Sequence, residues 1–420
     1  VSTRTSRVAL ASFVGTAIEF YDFYIYGTAA ALVLNSAFFP TLSPVAGSLA
    51  ALSTFAVAFV ARPLGAVLFG HFGDRVGRKA TLVASLLLMG LSTVAIGLLP
   101  GYATIGVAAP VALTALRFLQ GLGLGGEWGG AALLAAEHAP AGRRGWYSVF
   151  PQLGPAVGFF AAGGSFLVLS AVLDDAAFRA WGWRVPFLAS AVLVLVGLRV
   201  RLRIAETPAF ARVLRQRERS SLPVLEMLRR APARLLLGGG TIVVCYVLFY
   251  VATTFGLAHA TGVLGAPRAG VLADQIVAVW AMAAATVVAC LLSDRWGRKP
   301  VLVSGCLAAV GAGAVFAPLL HGGQHLAAFV LALLAMGWVY GPLGALLPEL
   351  FPTRFRYSAS SLAYNLGGVL GGALAPTVAT WLVHRHGPQS VAWYVAAAAA
   401  ASVVCVLLLP ETIGEEVQTT

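Results

Sequence analysis

A chain of 420 residues that is 59% hydrophobic and only 10% charged, with a mean hydropathy of +0.86, has too little polar side chain to coat a water-soluble globule of that length. Lipid must be its solvent, and no stretch is left over for a soluble catalytic domain. The net charge of +12 would suit nucleic acid, so its placement along the chain decides its meaning. Apolar runs long enough to cross a hydrocarbon core of about 30 Å recur at 8–34, 47–71, 80–99, 105–138, 146–172, 184–203, 233–260, 268–292, 300–320, 325–347, 358–385 and 388–410. These are read as spans 1 to 12.

In span 1, Arg4 and Arg7 precede the apolar run as they would in a signal peptide. The run contains Glu19 and Asp22 and shows no small-residue cleavage site, so it reads as a retained span. An ionisable group at the centre of a span costs roughly 2.5–3.5 kcal/mol on insertion scales, which makes it a functional candidate. Glu19 and Asp22 lie one turn apart with Tyr26 a further turn on, forming one polar stripe. Burial favours a protonated carboxyl and a nearby guanidinium favours the carboxylate, so acids beside a movable cation can load and release a proton. The competing reading is a buried salt bridge that only braces the helices.

Span 2 carries Arg62, an intramembrane cation and so, with Tyr26, Arg117 and Gln120, a substrate-binding candidate; Pro63 follows it and the next loop is close enough for it to snorkel instead. Span 4 carries Arg117 near its middle, with Gln120 one turn along and Glu127 about three turns along on a similar face. The rigid donor fork of arginine matches a carboxylate, so Arg117 is a candidate ligand for an anionic solute, or else a permanent brace for Asp22. Gly121-Leu122-Gly123-Leu124-Gly125-Gly126 formally satisfies the dinucleotide pattern GxGxxG. That fingerprint needs a preceding strand, and a helical run stands there instead; close helix approach explains the glycines better. Gly367-Gly368 and Gly371-Gly372 in span 11 read the same way. In span 5, Gln152 joins the substrate-contact candidates, while Gly154-Pro155-Ala156-Val157-Gly158 resembles the proline-glycine motif of proton antiporters.

Two segments repeat. Gly70-His71-Phe72-Gly73-Asp74-Arg75-Val76-Gly77-Arg78-Lys79 after span 2 returns as Ser293-Asp294-Arg295-Trp296-Gly297-Arg298-Lys299 after span 8, and Glu137, Pro140 and Arg144 return as Glu349, Pro352 and Arg356. The offsets, 220 residues from Asp74 to Asp294 and 212 from Glu137 to Glu349, nearly coincide. Two six-span halves in the same orientation follow, 8–203 and 233–410, with the Arg-rich and proline-punctuated stretch 204–232 as a linker. Asp74, Arg75, Arg78, Glu137 and Arg144 in the first half, and Asp294, Arg295, Arg298, Glu349 and Arg356 in the second, form candidate gates. Ion pairs worth about 1 kcal/mol or less break readily, as alternating access requires.

The second half is poorer in buried charge, with Asp274 near the outer end of span 8. Tyr246, Tyr250, Trp338, Tyr340, Tyr364 and Asn365 offer polar edges and ring faces instead, suited to substrate contact. Cys245, Cys290, Cys306 and Cys405 are scattered in apolar runs without CxxC spacing or a histidine cluster, so they read as packing residues, with no metal or cofactor implied. Sorted by these spans, 22 of the 28 Lys and Arg residues fall on the side of the N-terminus. The positive-inside rule then puts both termini and the linker in the cytoplasm. The basic balance is a topology signal and not a nucleic-acid footprint.

Twelve spans with Gly-x-x-x-Asp-Arg-x-Gly-Arg-Lys after span 2, echoed after span 8, resemble the major facilitator superfamily. Within it the chain is similar to the metabolite:proton symporters, the branch of shikimate, α-ketoglutarate, citrate and proline/betaine carriers. The residues that carry this are Gly15 to Tyr24 with Glu19 and Asp22, Ala61-Arg62-Pro63-Leu64-Gly65, Arg117-Phe118-Leu119-Gln120-Gly121, Gly125-Gly126-Glu127-Trp128, Trp181-Gly182-Trp183-Arg184-Val185-Pro186-Phe187 and Glu206-Thr207-Pro208-Ala209-Phe210. The expectation is an all-α polytopic membrane protein, twelve transmembrane helices in two pseudo-symmetric six-helix bundles, in a bacterial-type inner membrane. It acts as a monomer, without enzymatic activity, on protons and a small carboxylate-bearing metabolite. Glu19, Asp22 and Glu127 are the proton-coupling candidates. Export by antiport, or symport of a zwitterionic osmolyte, are the alternatives.

Overall fold

The computed structural model describes residues 3–76, 78–126, 128–129, 132, 143–203, 228–229, 231–351 and 356–413. Side chains are described within these, except at 3–12, 70–76, 78–80, 82, 200–201, 203 and 357. The described residues are helical and contain no strand, as expected where a lipid solvent cannot satisfy open backbone groups. Span 1 is Thr3–Leu32, span 2 Pro44–Val76, span 3 Arg78–Leu98, span 4 Ala108–Leu124, span 5 Arg144–Val172 and span 6 Val185–Arg203. Span 7 runs from Pro232–Thr241 through Val243–Tyr250 to Gly256–Gly262, span 8 is Arg268–Trp296, span 9 Arg298–His321 and span 10 His325–Glu349. Span 11 joins Arg356–Gly367 to Ala375–His386, and span 12 is Ser390–Leu408.

The two halves repeat one packing scheme. Span 1 lies on 5, 2 on 4, and 3 on 4 and 6; correspondingly 7 lies on 11, 8 on 10, and 9 on 10 and 12. Between the halves, span 5 lies along span 8 and span 2 along span 11. Glycine makes the tightest of these contacts possible. A Cβ on Gly65 would stand 2.0 Å from the Leu122 carbonyl oxygen, one on Gly121 2.2 Å from that of Ala58, and one on Gly125 2.1 Å from that of Arg62. The decoy glycines of span 4 therefore press its backbone onto span 2. Gly337 does the same for span 10 against Met282 of span 8, at 2.3 Å.

Two features depart from the expected outline. The repeated charged segments are helix ends with almost no loop between them: span 2 reaches Val76 and span 3 begins at Arg78, while Gly297 alone separates spans 8 and 9. Gly297 sits at φ +99°, and a Cβ there would also meet the Glu411 carboxylate at 2.8 Å. Spans 7 and 11 are interrupted by π turns at Val251–Phe255 and Gly368–Ala373. Gln275 of span 8 donates from Nε2 to the carbonyls of Ala252 (2.9 Å) and Thr253 (2.8 Å), supplying partners to groups that the irregular turn releases.

Candidate functional site

Span 1 presents Glu19, Asp22 and Tyr26 to the inside of the first half, and all three are buried. Asp22 Oδ1 accepts a hydrogen bond from Ser190 Oγ of span 6 at 2.5 Å. Gln120 of span 4 donates from Nε2 to the Asp22 backbone carbonyl (3.1 Å) and to Thr93 Oγ1 (2.8 Å), and accepts from Arg117 Nη1 on its other side. The Arg117 guanidinium lies 3.7 Å from the Tyr26 ring centre, with Phe23 and Phe55 at 5.2 and 5.4 Å. Tyr26 in turn is hydrogen-bonded to Thr54 of span 2. Arg117 thus reaches span 1 through Gln120 and a ring face, and among the described residues no carboxylate forms an ion pair with it. Its Nε and Nη2 are buried without a hydrogen-bond acceptor.

Arg62 is 3% exposed, so it does not snorkel. Its guanidinium lies against both Phe23 and Phe59, at 4.2 and 4.6 Å from the centres of these two mutually perpendicular rings, and its Nε has no acceptor. A buried guanidinium N–H left without an acceptor costs on the order of 1–3 kcal/mol, a cost that an anion placed between these two groups would relieve.

Beyond Arg62 the two halves meet through aromatic rings. Phe55 and Phe59 point edge-on at Tyr250 (5.0 and 5.6 Å), and Tyr246 lies parallel to Tyr250 at 6.2 Å. Tyr364 packs on Tyr246 at 5.6 Å and stacks at 3.8 Å on Trp128, whose Nε1 has no acceptor. Gln152 donates from Nε2 to the Tyr340 carbonyl across the interface at 2.7 Å and leaves Oε1 without a donor. Asn365 Nδ2 ties span 11 to the Gly125 carbonyl of span 4 at 2.9 Å. The sequence candidates Arg62, Gln152, Tyr246, Tyr250, Tyr364 and Asn365 are therefore brought to one interface. Trp338 is not: it turns toward span 9 and donates to Ser304 Oγ at 3.0 Å, because Gly337 and Gly341 on the neighbouring face are the residues pressed against span 8. Glu127 lies outside the described residues.

The interface is closed. A cavity between Tyr24, Gly27, Phe55, Tyr250, Thr253 and Gln275 measures about 10 Å³, room for about one water. At the face carrying the chain ends, Asp294 accepts from the backbone N–H groups of Gly145 (2.9 Å) and Trp146 (3.0 Å), capping span 5 of the opposite half. Arg298 binds Asp294 (2.8 Å) and grips both oxygens of Glu349 (3.2 and 3.1 Å), and Arg144 approaches Glu349 at 3.5 Å. The gate candidates Arg144, Asp294, Arg298 and Glu349 thus form one network. Arg295 is exposed, and Arg356 donates from Nε to the Phe351 carbonyl at 2.9 Å. Glu137 and the side chains of Asp74, Arg75 and Arg78 lie outside the described residues.

Three parts of this arrangement escaped the sequence reading. Ser190 is one more serine in an apolar run until the fold places it on Asp22. Glu411 accepts from the backbone N–H groups of Arg298 and Lys299 at 2.9 Å each, and Thr412 Oγ1 donates to Glu349 at 2.6 Å. Burial pushes the Glu411 carboxyl up, but the N–H groups of Lys299, Arg298, Ile413 and Thr412 outweigh it and hold the carboxyl below the ordinary range. A usable signal existed, since Glu206-Thr207 after span 6 recurs as Glu411-Thr412 after span 12. On the opposite face, Arg268 of span 8 binds Asp175 (2.9 Å) and Ser170 Oγ (2.7 Å) and covers the Phe178 ring at 3.8 Å, a second tie between the halves.

The family model described as sugar (and other) transporter matches residues 8–236 and 233–419. The chain is 49% identical to the inner membrane metabolite transport protein YhjE of Escherichia coli (strain K12) over 415 residues, covering 97% of this chain and 94% of the relative. It is 37% identical to the shikimate transporter of the same strain over 423 residues, 98% and 95% of the two chains. The proline/betaine transporter of that strain is 33% identical over 420 residues, 97% and 83%. The proton:xylose symporter XylE, solved with bound 6-bromo-6-deoxy-D-glucose, superposes with a TM-score of 0.79 at 20% identity, covering 99% of this chain and 98% of the other.

Proposed function

Because the chain belongs to the sugar (and other) transporter family of the major facilitator superfamily, and is thus a membrane transporter and not an enzyme, we propose that it carries out proton-coupled symport of a small carboxylate-bearing metabolite by alternating access. The observation that carries this reading is the pair of buried guanidinium groups, Arg62 and Arg117, with N–H donors left without acceptors beside a closed aromatic interface. A substrate carboxylate supplies those acceptors through charge-assisted bonds, the strong kind. Tyr246, Tyr250, Tyr364 and Trp128 then cover the body of the substrate, and Gln152 and Asn365 offer polar contacts from either half.

The proton is carried by span 1. Asp22, and Glu19 one turn below it, exchange between a protonated form favoured by burial and an ionised form favoured by the cation nearby. Substrate and proton share the site, so return of the empty carrier depends on release of both. The ion-pair network of Arg144, Asp294, Arg298 and Glu349 closes one face and Arg268 with Asp175 the other; alternate opening of the two moves the solute. Residues 8–203 and 233–410 are the moving bodies, 204–232 joins them, and both termini face the cytoplasm of a bacterial inner membrane, as the distribution of arginine supports. The working unit is a single chain in its bilayer.

A second reading, symport of a zwitterionic osmolyte, is favoured by the ring faces of Tyr246, Tyr250 and Trp128, which suit a quaternary ammonium. One experiment separates the two. Proteoliposomes under an inward proton gradient are offered labelled shikimate with competing dicarboxylates, tricarboxylates, aromatic acids and betaines. Uphill uptake inhibited by acids supports the proposal; uptake inhibited by betaines alone favours the second reading, and outward-directed movement overturns both.

A further inference from the structure

At the face opposite the chain ends, well away from the site above, His259 at the end of span 7 and His321 at the end of span 9 bring their Nε2 atoms within 3.1 Å. The rings are tilted by 47° with centres 5.1 Å apart, and Phe255 stacks on His259 at 5.3 Å, fixing its plane. His259 is buried at 7% exposure while His321 is exposed, so the pair is anchored on one side and reachable from water on the other.

We propose that His259 and His321 form a two-histidine site for a divalent transition-metal ion of the zinc, nickel or copper type. Imidazole nitrogen is the preferred ligand of these ions. With Zn–N bonds of about 2.0–2.1 Å and a tetrahedral angle, two coordinating nitrogens stand about 3.3 Å apart, only a few tenths of an ångström beyond the observed separation. Without the ion, one ring donates its Nε2–H to the other. On binding, the donor ring shifts that proton to Nδ1, both Nε2 lone pairs face the ion, and no net proton is released. Among the described residues no group of three or more histidine, cysteine or acidic side chains gathers to hold a metal, so water completes the coordination and the site stays open and reversible.

The position gives the ion a mechanical effect. His259 belongs to Gly256–Gly262, the segment beyond the π turn of span 7, and His321 ends a continuous helix. A bound ion ties that segment to span 9.

The test uses the full chain purified in detergent, following thermal unfolding by tryptophan fluorescence with zinc chloride, and with magnesium chloride as the control. Zinc raises the midpoint by a few degrees because it binds the folded state selectively; magnesium does not. His321→Gln, at an exposed position that tolerates change, removes the zinc shift, and His259→Gln does the same. His325→Gln and His386→Gln keep it. No zinc shift in the unaltered protein, or a shift that survives His321→Gln, overturns the proposal.

Discussion

The two halves share a packing scheme but not a chemistry. In the first, Glu19, Asp22, Arg62 and Arg117 are buried within the bundle; in the second, the buried charges among the described residues are Arg298 and Arg356, both at helix ends. At the level where the first half holds arginines, the second holds Tyr246, Tyr250 and Tyr364. The halves thus share what holds their helices together, while among the described residues the costly buried charge within the spans stands in the first half. A charge in a lipid-embedded bundle is costly and marks a functional candidate, and this division is the ground for proposing coupling in the first half and substrate cover in the second.

The sharpest way to break this comparison is to neutralise span 1. Asp22→Asn is expected to abolish uphill uptake while leaving counterflow, because exchange needs no proton release and accumulation does. Glu19→Gln is the internal comparison, and if it alone shows that phenotype the two roles are reversed. Counterflow and proton-driven uptake measured in the same proteoliposomes decide the matter; uphill uptake with unaltered pH dependence in both variants would remove coupling from span 1.

Next in size are the cations. Arg62→Lys and Arg117→Lys keep the charge but lose the fork, and each should weaken carboxylate binding by about 10–100-fold, the equivalent of roughly 1–3 kcal/mol. Arg62, which lies against Phe59, the ring that meets Tyr246 and Tyr250 of the second half, is expected to show the larger loss. Equilibrium binding of the transported acid reads this directly. Unchanged affinity in both would make the arginines braces.

The smallest effects belong to the latches, where the two halves repeat in sequence. Asp294→Asn removes the charge that caps span 5 and binds Arg298, and is expected to slow transport severalfold without loss of substrate binding. Asp74→Asn, its counterpart by the 220-residue offset, should do the same. Normal transport rates in well-expressed variants would show that these charges set topology only.

Much of the fold was legible in the residues alone. Lipid leaves the backbone only the helix or the closed barrel, and uninterrupted apolar runs of about 20 residues fit the helix alone, so such runs sufficed to count twelve spans, and the repeat of Asp74-Arg75 as Asp294-Arg295 disclosed the two halves. The glycines of spans 4 and 11 were also read correctly, since a residue without a Cβ in an apolar helix serves close approach. The charged repeats were located but mistaken for loops: nothing local tells that span 2 stays helical to Val76 or that one glycine suffices for the turn at Gly297.

Partnerships were decided by tertiary structure. Arg117 and Asp22 were natural partners by charge, yet Gln120 and the Tyr26 ring hold the arginine while Ser190 holds the acid. Trp338 and Tyr340, two residues apart, face different neighbours because the glycines beside them dictate how span 10 is turned. His259 and His321 are 62 residues apart and meet only because two spans end at one level. Hydropathy and repeats depend on composition along the chain, and a single sequence states them. Which side chains share a hydrogen bond depends on the rotation and depth of each helix, and those are set jointly by all the helices packed around it.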